Sequence, residues 1–460
     1  MGFEGEFASY EPLRRILSSE KIQALQQRMY IQPYLPSADE IKKEIISLKK
    51  VPQSSTLQPD YILAIDGSHL EGQPEKGFPG SEYGIVSIAA VLIDLKKISE
   101  MEKEEFMDPK LFRETEIAAP EEFIFPGCNI IVDNEKDDKC SLRRFIYEQF
   151  RDYKIFKEGE TILETYEYLL NLKHDKYKDA RPQKNPIDDN YELPFGLGEY
   201  DCPYTQEKLY STDALRLHEL MNPSGTNGEL FGQIMDTIEK LWFVNILRWF
   251  EITHQLKILR RIAFVLDGPL AVFSTSSWLT KVIEYELIRI NASQKAINNE
   301  DMIILGLEKS GAFFNHFTDL DISREGTTDI FPRQSAFLLT DSYIKSNIIY
   351  SKSSTLYGLD TYFGRKFFYK TASGQKIVPV LAWYTDKQKD IRTADIDQFS
   401  RLGDVIRLLD RLVSSRYPNS ISPLISAHAE ASIPLNLGKQ LFEEIAKEIA
   451  ASNSPPKVLS

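Results

Sequence analysis

The chain has 460 residues, 42% of them hydrophobic and 27% charged, with a formal net charge of −13. This is a globular balance, long enough for one elaborated domain or two ordinary ones. It excludes a general basic coat for nucleic acid, which needs clustered Lys and Arg, and the three cysteines, Cys128, Cys140 and Cys202, lack the CxxC spacing of a zinc knuckle or the number for a disulfide framework.

The N-terminus, MGFEGEFASYEPLRR, has no apolar segment leading to a small-residue cleavage site, and no apolar run approaches the roughly 18 residues of a membrane span. The expected address is the cytoplasm, with no membrane contact. Helical periodicity from about Tyr10 to Lys50, followed by the polar connector VPQSSTLQPD, predicts an N-terminal helical segment over residues 1–60. The run YILAID, Tyr61 to Asp66, then predicts a short strand, and SEYGIVSIAAVLIDL, Ser81 to Leu95, a longer one. The two read as an antiparallel hairpin joined by the long loop HLEGQPEKGFPG. From Lys96 to about Asp201 the composition turns charged and aromatic, with weak periodicity, which predicts an insertion at about 96–201.

A long helix is expected from about Glu229 to Leu259, then the strand RIAFVLD ending at Asp267, a helix from near Ser276, and the strand MIILGLEK from Met302 to Lys309. A β-hairpin follows in TYFGRKFFYKTASGQKIVPVLAWYT, and the chain then turns helical up to a disordered tail at 451–460. Strands alternating with helices predict an α/β main domain over 61–450.

Two places share one local grammar: an apolar strand ending in Asp-Gly, at LAIDGS (Asp66) and at FVLDGP (Asp267). A strand end is a rigid mount, and glycine beside the acid lets a ligand come close. The bland reading is a pair of hairpin turns, but at the second a helix follows Pro269 instead of a returning strand. Two carboxylates brought together repel unless a cation compensates. Mg²⁺ and Mn²⁺ favour oxygen ligands and serve phosphoryl displacement, so phosphodiester hydrolysis is the chemistry that fits.

A third acid is expected on the long helix. Glu239 has Met235, Trp242, Phe243 and Ile246 at helical spacing, which places it on the buried face, whereas Glu251 neighbours Arg248 and reads as half of a surface ion pair. Glu239 is preferred; distance along the helix leaves both open. In RYPNSISPLISAHAEASI, a lone histidine is ordinarily structural; where the segment reaches the site, His428 would bind metal, orient water or protonate a leaving oxygen, and Tyr417 would hold a phosphate oxygen. Lys309 reads as a phosphate contact by the same strand-end logic, with an ordinary surface lysine as the alternative. Arg365, Lys366 and Lys370, interleaved with Phe367, Phe368 and Tyr369, predict a DNA-binding hairpin, with an ordinary amphipathic strand pair as the alternative.

These elements together resemble the NurA nuclease family: LAIDGS, a glutamate on a later helix, FVLDGPLAVF, LGLEKSG, and a YP...PL..AH element, in order from about Tyr61 to Ser432. One departure is NSIS between YP and PL. The resemblance implies an RNase H-like mixed sheet flanked by helices and a Mn²⁺-preferring (or Mg²⁺-dependent) DNA exonuclease and single-strand endonuclease. It also implies a homodimer working with a hexameric HerA-type translocase ATPase in DNA end processing, repair or phage defence. Carried onto this chain, the metal ligands would be Asp66, Glu239 or Glu251, Asp267 and His428, with Tyr417 assisting. Delivery of DNA through an ATPase channel would also suit the acidic charge. Two rivals stand beside this reading. An actin-like ATPase would place the glycine two positions after its aspartate and add phosphate loops absent here; a degenerate nuclease fold would serve an ATPase as an adaptor.

Overall fold

The computed structural model describes residues 11–29, 38–53, 58–74, 80–97, 116–177, 182–224, 226–322 and 329–412. Three short helices come first, α1 (Glu11–Leu17), α2 (Glu20–Arg28) and α3 (Ala38–Glu44), and then a two-residue strand, β1 (Ile46–Ser47). The segment expected to be helical therefore also supplies a sheet edge. Ile46 pairs with Ala336, and Ile41 and Val51 reach the core.

Strands β2 (Tyr61–Gly72), β3 (Tyr83–Asp94) and β4 (Glu116–Pro126) form an antiparallel meander. The expected end of the first strand at Asp66 is corrected here. β2 and β3 pair without interruption from Tyr61↔Asp94 to Gly72↔Tyr83, so Asp66 lies mid-strand. The ladder supplied by β3 overrides the apparent turn signal of Asp-Gly, since continued pairing satisfies the backbone groups that face β3.

The segment read as an insertion is partly core. β4 is an edge strand of the main sheet, where Pro120 is tolerated because an edge needs fewer backbone donors; that proline and the paired Glu121 and Glu122 disguise the strand. Helices α4 (Asp138–Asp152) and α5 (Ile162–Lys176) follow, the first capped by Asp137 and the second by a Thr161–Glu164 capping box. Leu142, Ile146, Phe150, Tyr166 and Leu169 pack inward from these helices. A small hairpin, β5 (Glu199–Asp201) and β6 (Lys208–Tyr210), closes this region.

Helix α6 (Gly228–Ile252) leads to β7 (Ile262–Asp267), and α7 (Leu279–Asn298) leads to β8 (Ile303–Glu308). The chain continues through α8 (Ala312–Leu320), β9 (Ser335–Leu338), α9 (Asp341–Asn347), the hairpin β10 (Gly364–Lys370) and β11 (Lys376–Ala382), α10 (Asp386–Lys389) and α11 (Leu402–Leu412).

Nine strands form one mixed sheet in the order β1-β9-β10-β11-β8-β7-β2-β3-β4. β2, β7 and β8 run parallel to one another, and the other pairings are antiparallel. One face buries Ile65, Ile88, Phe264 and Leu266 beneath α4 to α7, and further along it Phe368 and Val378 meet Phe313 and Phe317 of α8. The other face buries Ile62, Ala64, Val265, Phe367 and Tyr369 with Val405, Leu408 and Leu409 of α11. Among the described residues no helix is long and apolar enough to cross a membrane.

Candidate active site

Parallel pairing of β2 with β7 runs from Tyr61↔Ile262 to Ile65↔Leu266. The next step in that register sets Asp66 beside Asp267, on neighbouring backbones about 4.8 Å apart. Side chains alternate along a strand. Asp66 therefore shares a face with Ile62 and Ala64, and Asp267 shares the same face with Val265. β7 ends at Asp267 while β2 runs on beside β3, so the two acids stand at a step in the sheet, at the carboxyl end of β7, and such ends of parallel strands are where α/β sheets commonly bind ligands.

The two Asp-Gly pairs use glycine for different reasons. Each aspartate accepts a hydrogen bond from the next amide, Gly67 N–H to Asp66 Oδ1 at 2.8 Å and Gly268 N–H to Asp267 Oδ1 at 3.0 Å. Gly268 adopts φ +82°, a left-handed turn that a side chain would strain. Gly67 is extended; a Cβ there would stand 2.8 Å from both Ile88 Cδ1 and Met235 Cγ, so its role is close packing of α6 on β2.

Asp267 has a resident cation. Lys309, directly after β8, places Nζ 3.0 Å from Asp267 Oδ2, with both side chains partly open to solvent. The preceding Glu308 is tied down by Lys366 at 2.5 Å, a buried lysine that also lies over the rings of Phe313 and Tyr362. Burial pulls the Lys366 ammonium below its ordinary value, and Glu308 opposes that pull.

Glu239 is buried on α6, in the layer covering the opposite face from Asp66 and Asp267. Its carboxylate takes a 2.9 Å hydrogen bond from Lys240 Nζ, which reaches Asp236 at 3.1 Å. Burial pushes the Glu239 carboxyl up to about 8 against the pull of Lys240, and the charges of Asp236 and Asp66 add to the rise. Burial alone would lower Lys240, but Asp236 and Glu239 together raise it. Glu239 thus senses Asp66 while bonding elsewhere. Asp236 and Lys240 escaped the sequence reading, although D-x-x-E-K at helical spacing is the signature of such a cluster.

Glu251 sits at the far end of α6, gripped by Arg289 at 2.7 and 2.5 Å. The ion pair expected for it forms with a different arginine, because Arg248 is held by Glu160 and Glu286. Tyr417 and His428 lie outside the described residues.

The expected DNA-binding hairpin is corrected. Arg365, Lys366 and Lys370 are 2%, 6% and 2% exposed, which removes them from any DNA surface. Arg365 donates to the carbonyls of Gln388, Asp390 and Thr393, and Lys370 bonds Asp321 and Asp329. The hairpin lies inside the sheet with both faces covered, so its cations had to find partners within the protein. The strand pair itself forms as predicted.

Among the described residues no three His, Cys, Asp or Glu side chains gather closely enough to hold a metal ion. What the described residues do offer is a same-face pair of carboxylates, whose oxygens suit a hard divalent cation.

No protein of curated function matches the chain. Among solved structures, the NurA nuclease from Sulfolobus solfataricus is 11% identical, with 98% of each chain covered and a TM-score of 0.33. A structure described as NurA is 10% identical over 97% of this chain and 99% of its own, with a TM-score of 0.27. Another, of NurA with manganese, is 10% identical over 98% and 97%, with a TM-score of 0.22. The NurA domain model matches residues 60–433, most of the sequence and both Asp-Gly elements. On that match, the chain belongs to the NurA domain family.

Proposed function

We propose that this protein is a divalent-metal-dependent nuclease that hydrolyses DNA phosphodiesters, with Asp66 and Asp267 as its central acids. The observation that carries the reading is their register side by side on one face, where the parallel pairing of β2 with β7 stops and β7 ends. Family membership supports the nuclease class. The order β4-β3-β2-β7-β8, with three antiparallel strands joined to two parallel ones, supports an RNase H-like core.

The two aspartates would hold Mn²⁺ or Mg²⁺, which supplies Lewis-acid activation of phosphoryl oxygen and water when bound. The Gly67 and Gly268 amides fix one oxygen of each carboxylate, so the acids are oriented before a ligand arrives. Glu239 joins the proposal as a buried acid coupled electrostatically to Asp66, and Lys309 as the cation nearest an incoming phosphate. Tyr417 and His428 are assigned phosphate and metal or proton-transfer roles. We extend the reading to a homodimer that partners a HerA-type ATPase in DNA end processing, repair or phage defence. The net charge of −13 suits delivery of DNA by such a partner.

A second reading, a non-catalytic adaptor on the same fold, draws on the absence of a three-ligand cluster among the described residues. One assay separates the two. Purified full-length protein is incubated with end-labelled single- and double-stranded DNA in Mn²⁺, with a chelator control and Asp66→Asn alongside. The nuclease reading expects chelator-sensitive cleavage that falls at least about a hundredfold in the variant, with unchanged circular dichroism. Equal cleavage by Asp66→Asn, or none by the wild type, overturns it.

A further inference from the structure

We propose that Lys309 is a displaceable counter-ion, standing in for the divalent cation at Asp267 while the site is metal-free and yielding the carboxylate when metal arrives. This rests on the metal-dependent reading above. The Lys309 ammonium engages Asp267 Oδ2 at 3.0 Å, while Oδ1 is taken by the Gly268 amide. It therefore occupies the oxygen that a metal would need.

Three features make this lysine removable. Its side chain is 36% exposed and that of Asp267 is 26% exposed, so the pair is screened by water and weakly held. A doubly charged ion outcompetes a single charge at the same carboxylate, the more so with Asp66 alongside. The stem of lysine is flexible and its head is a strongly hydrated point charge, which lowers the cost of release. Lys240 supplies the internal contrast. Its side chain is 2% exposed and braced between Asp236 and Glu239, so it stays in place whatever binds at the strand ends.

The mount of Lys309 is as firm as its tip is loose. Glu308, one residue earlier, is anchored by the buried Lys366 at 2.5 Å, and Leu307 pairs with both β7 and β11. Displacement thus moves the side chain and leaves the strand where it is. The freed ammonium remains tethered beside the acids, where the next available anion is the phosphate of an entering strand. One residue would then report metal occupancy to the phosphate subsite: paired inward before loading, turned outward after it.

Calorimetric titration of Mn²⁺ alone into metal-stripped full-length protein tests this, using wild type, Lys309→Met, Lys309→Gln and Asp66→Asn. Removal of the competing ammonium is expected to tighten Mn²⁺ binding by roughly three- to tenfold in both Lys309 variants and to enlarge the Mn²⁺-induced rise in Tm. Unchanged or weaker binding in both, with saturable binding by the wild type, overturns the counter-ion proposal and leaves the metal reading intact. Absence of saturable binding by the wild type, matching Asp66→Asn, overturns both.

Discussion

The step in the sheet at Asp66 and Asp267 and the β10–β11 hairpin make an instructive pair. Both carry charged residues among apolar ones, and both invite a functional reading from sequence. Where β7 ends the sheet steps down, and Asp267 meets solvent and a partly exposed lysine. In the hairpin the strands are flanked on each side by another strand and covered on each face, so its cations lie buried on backbone carbonyls and internal acids. The same residue types stay open to solvent or hold the sheet together according to whether a neighbouring strand continues past them.

The comparison predicts that substitutions divide cleanly between activity and stability. The Asp66→Asn loss of cleavage is the largest effect expected, and it should leave the fold intact. On the other side, Lys366→Met strands the carboxylate of Glu308 without its partner and should cost roughly 3–5 kcal/mol of stability. Denaturant melts check this, and a parallel titration should find single-stranded DNA affinity per folded molecule unchanged; an affinity loss in a normally stable variant would break the comparison.

Glu239 lies between these extremes, and its signature is pH. Its carboxyl is raised from an ordinary value of 4.5 to about 8, so its contribution to stability is whole below 4.5 and is lost as pH climbs through about 8. Tm measured in chelator should therefore fall between about pH 4.5 and about pH 8, and Glu239→Gln should flatten that fall. A slope of equal size in the variant would place the ionisation elsewhere. The smallest effect is expected at Glu251→Gln: loss of a partly exposed pair with Arg289 costs at most about 1 kcal/mol, with cleavage within about twofold of wild type. A larger drop in cleavage would reinstate Glu251 as the third acid.

Much of the architecture was legible in the residues. The runs before Asp94 and Asp267 and the period of α6 announce themselves, because strands and helices that bury one face must repeat it. β4 was hidden by a proline and two glutamates that only an edge strand accepts, and β1 by its two-residue length. The extension of β2 past Asp66 depends on a partner ladder that no local pattern encodes. Strand-end logic held for Asp267 and Lys309, which stand at the ends of β7 and β8 and meet at 3.0 Å, and failed for Asp66, whereas the Asp236–Glu239–Lys240 cluster was missed because a buried lysine looks like any surface lysine in one dimension. The cations of the hairpin were misread for the same reason: alternation tells which face a side chain takes, and not what lies above that face.

Gly67 carries a consequence beyond its own turn of backbone. With Ile88 and Met235 already filling the space of a side chain, the gap between β2 and α6 at this level is set by a hydrogen atom. The helix that bears Glu239 is seated as near as it is to the strand that bears Asp66 because one methyl group is missing. The spacing of the acids across the two layers is therefore a matter of contact between apolar surfaces, decided before any charge is considered.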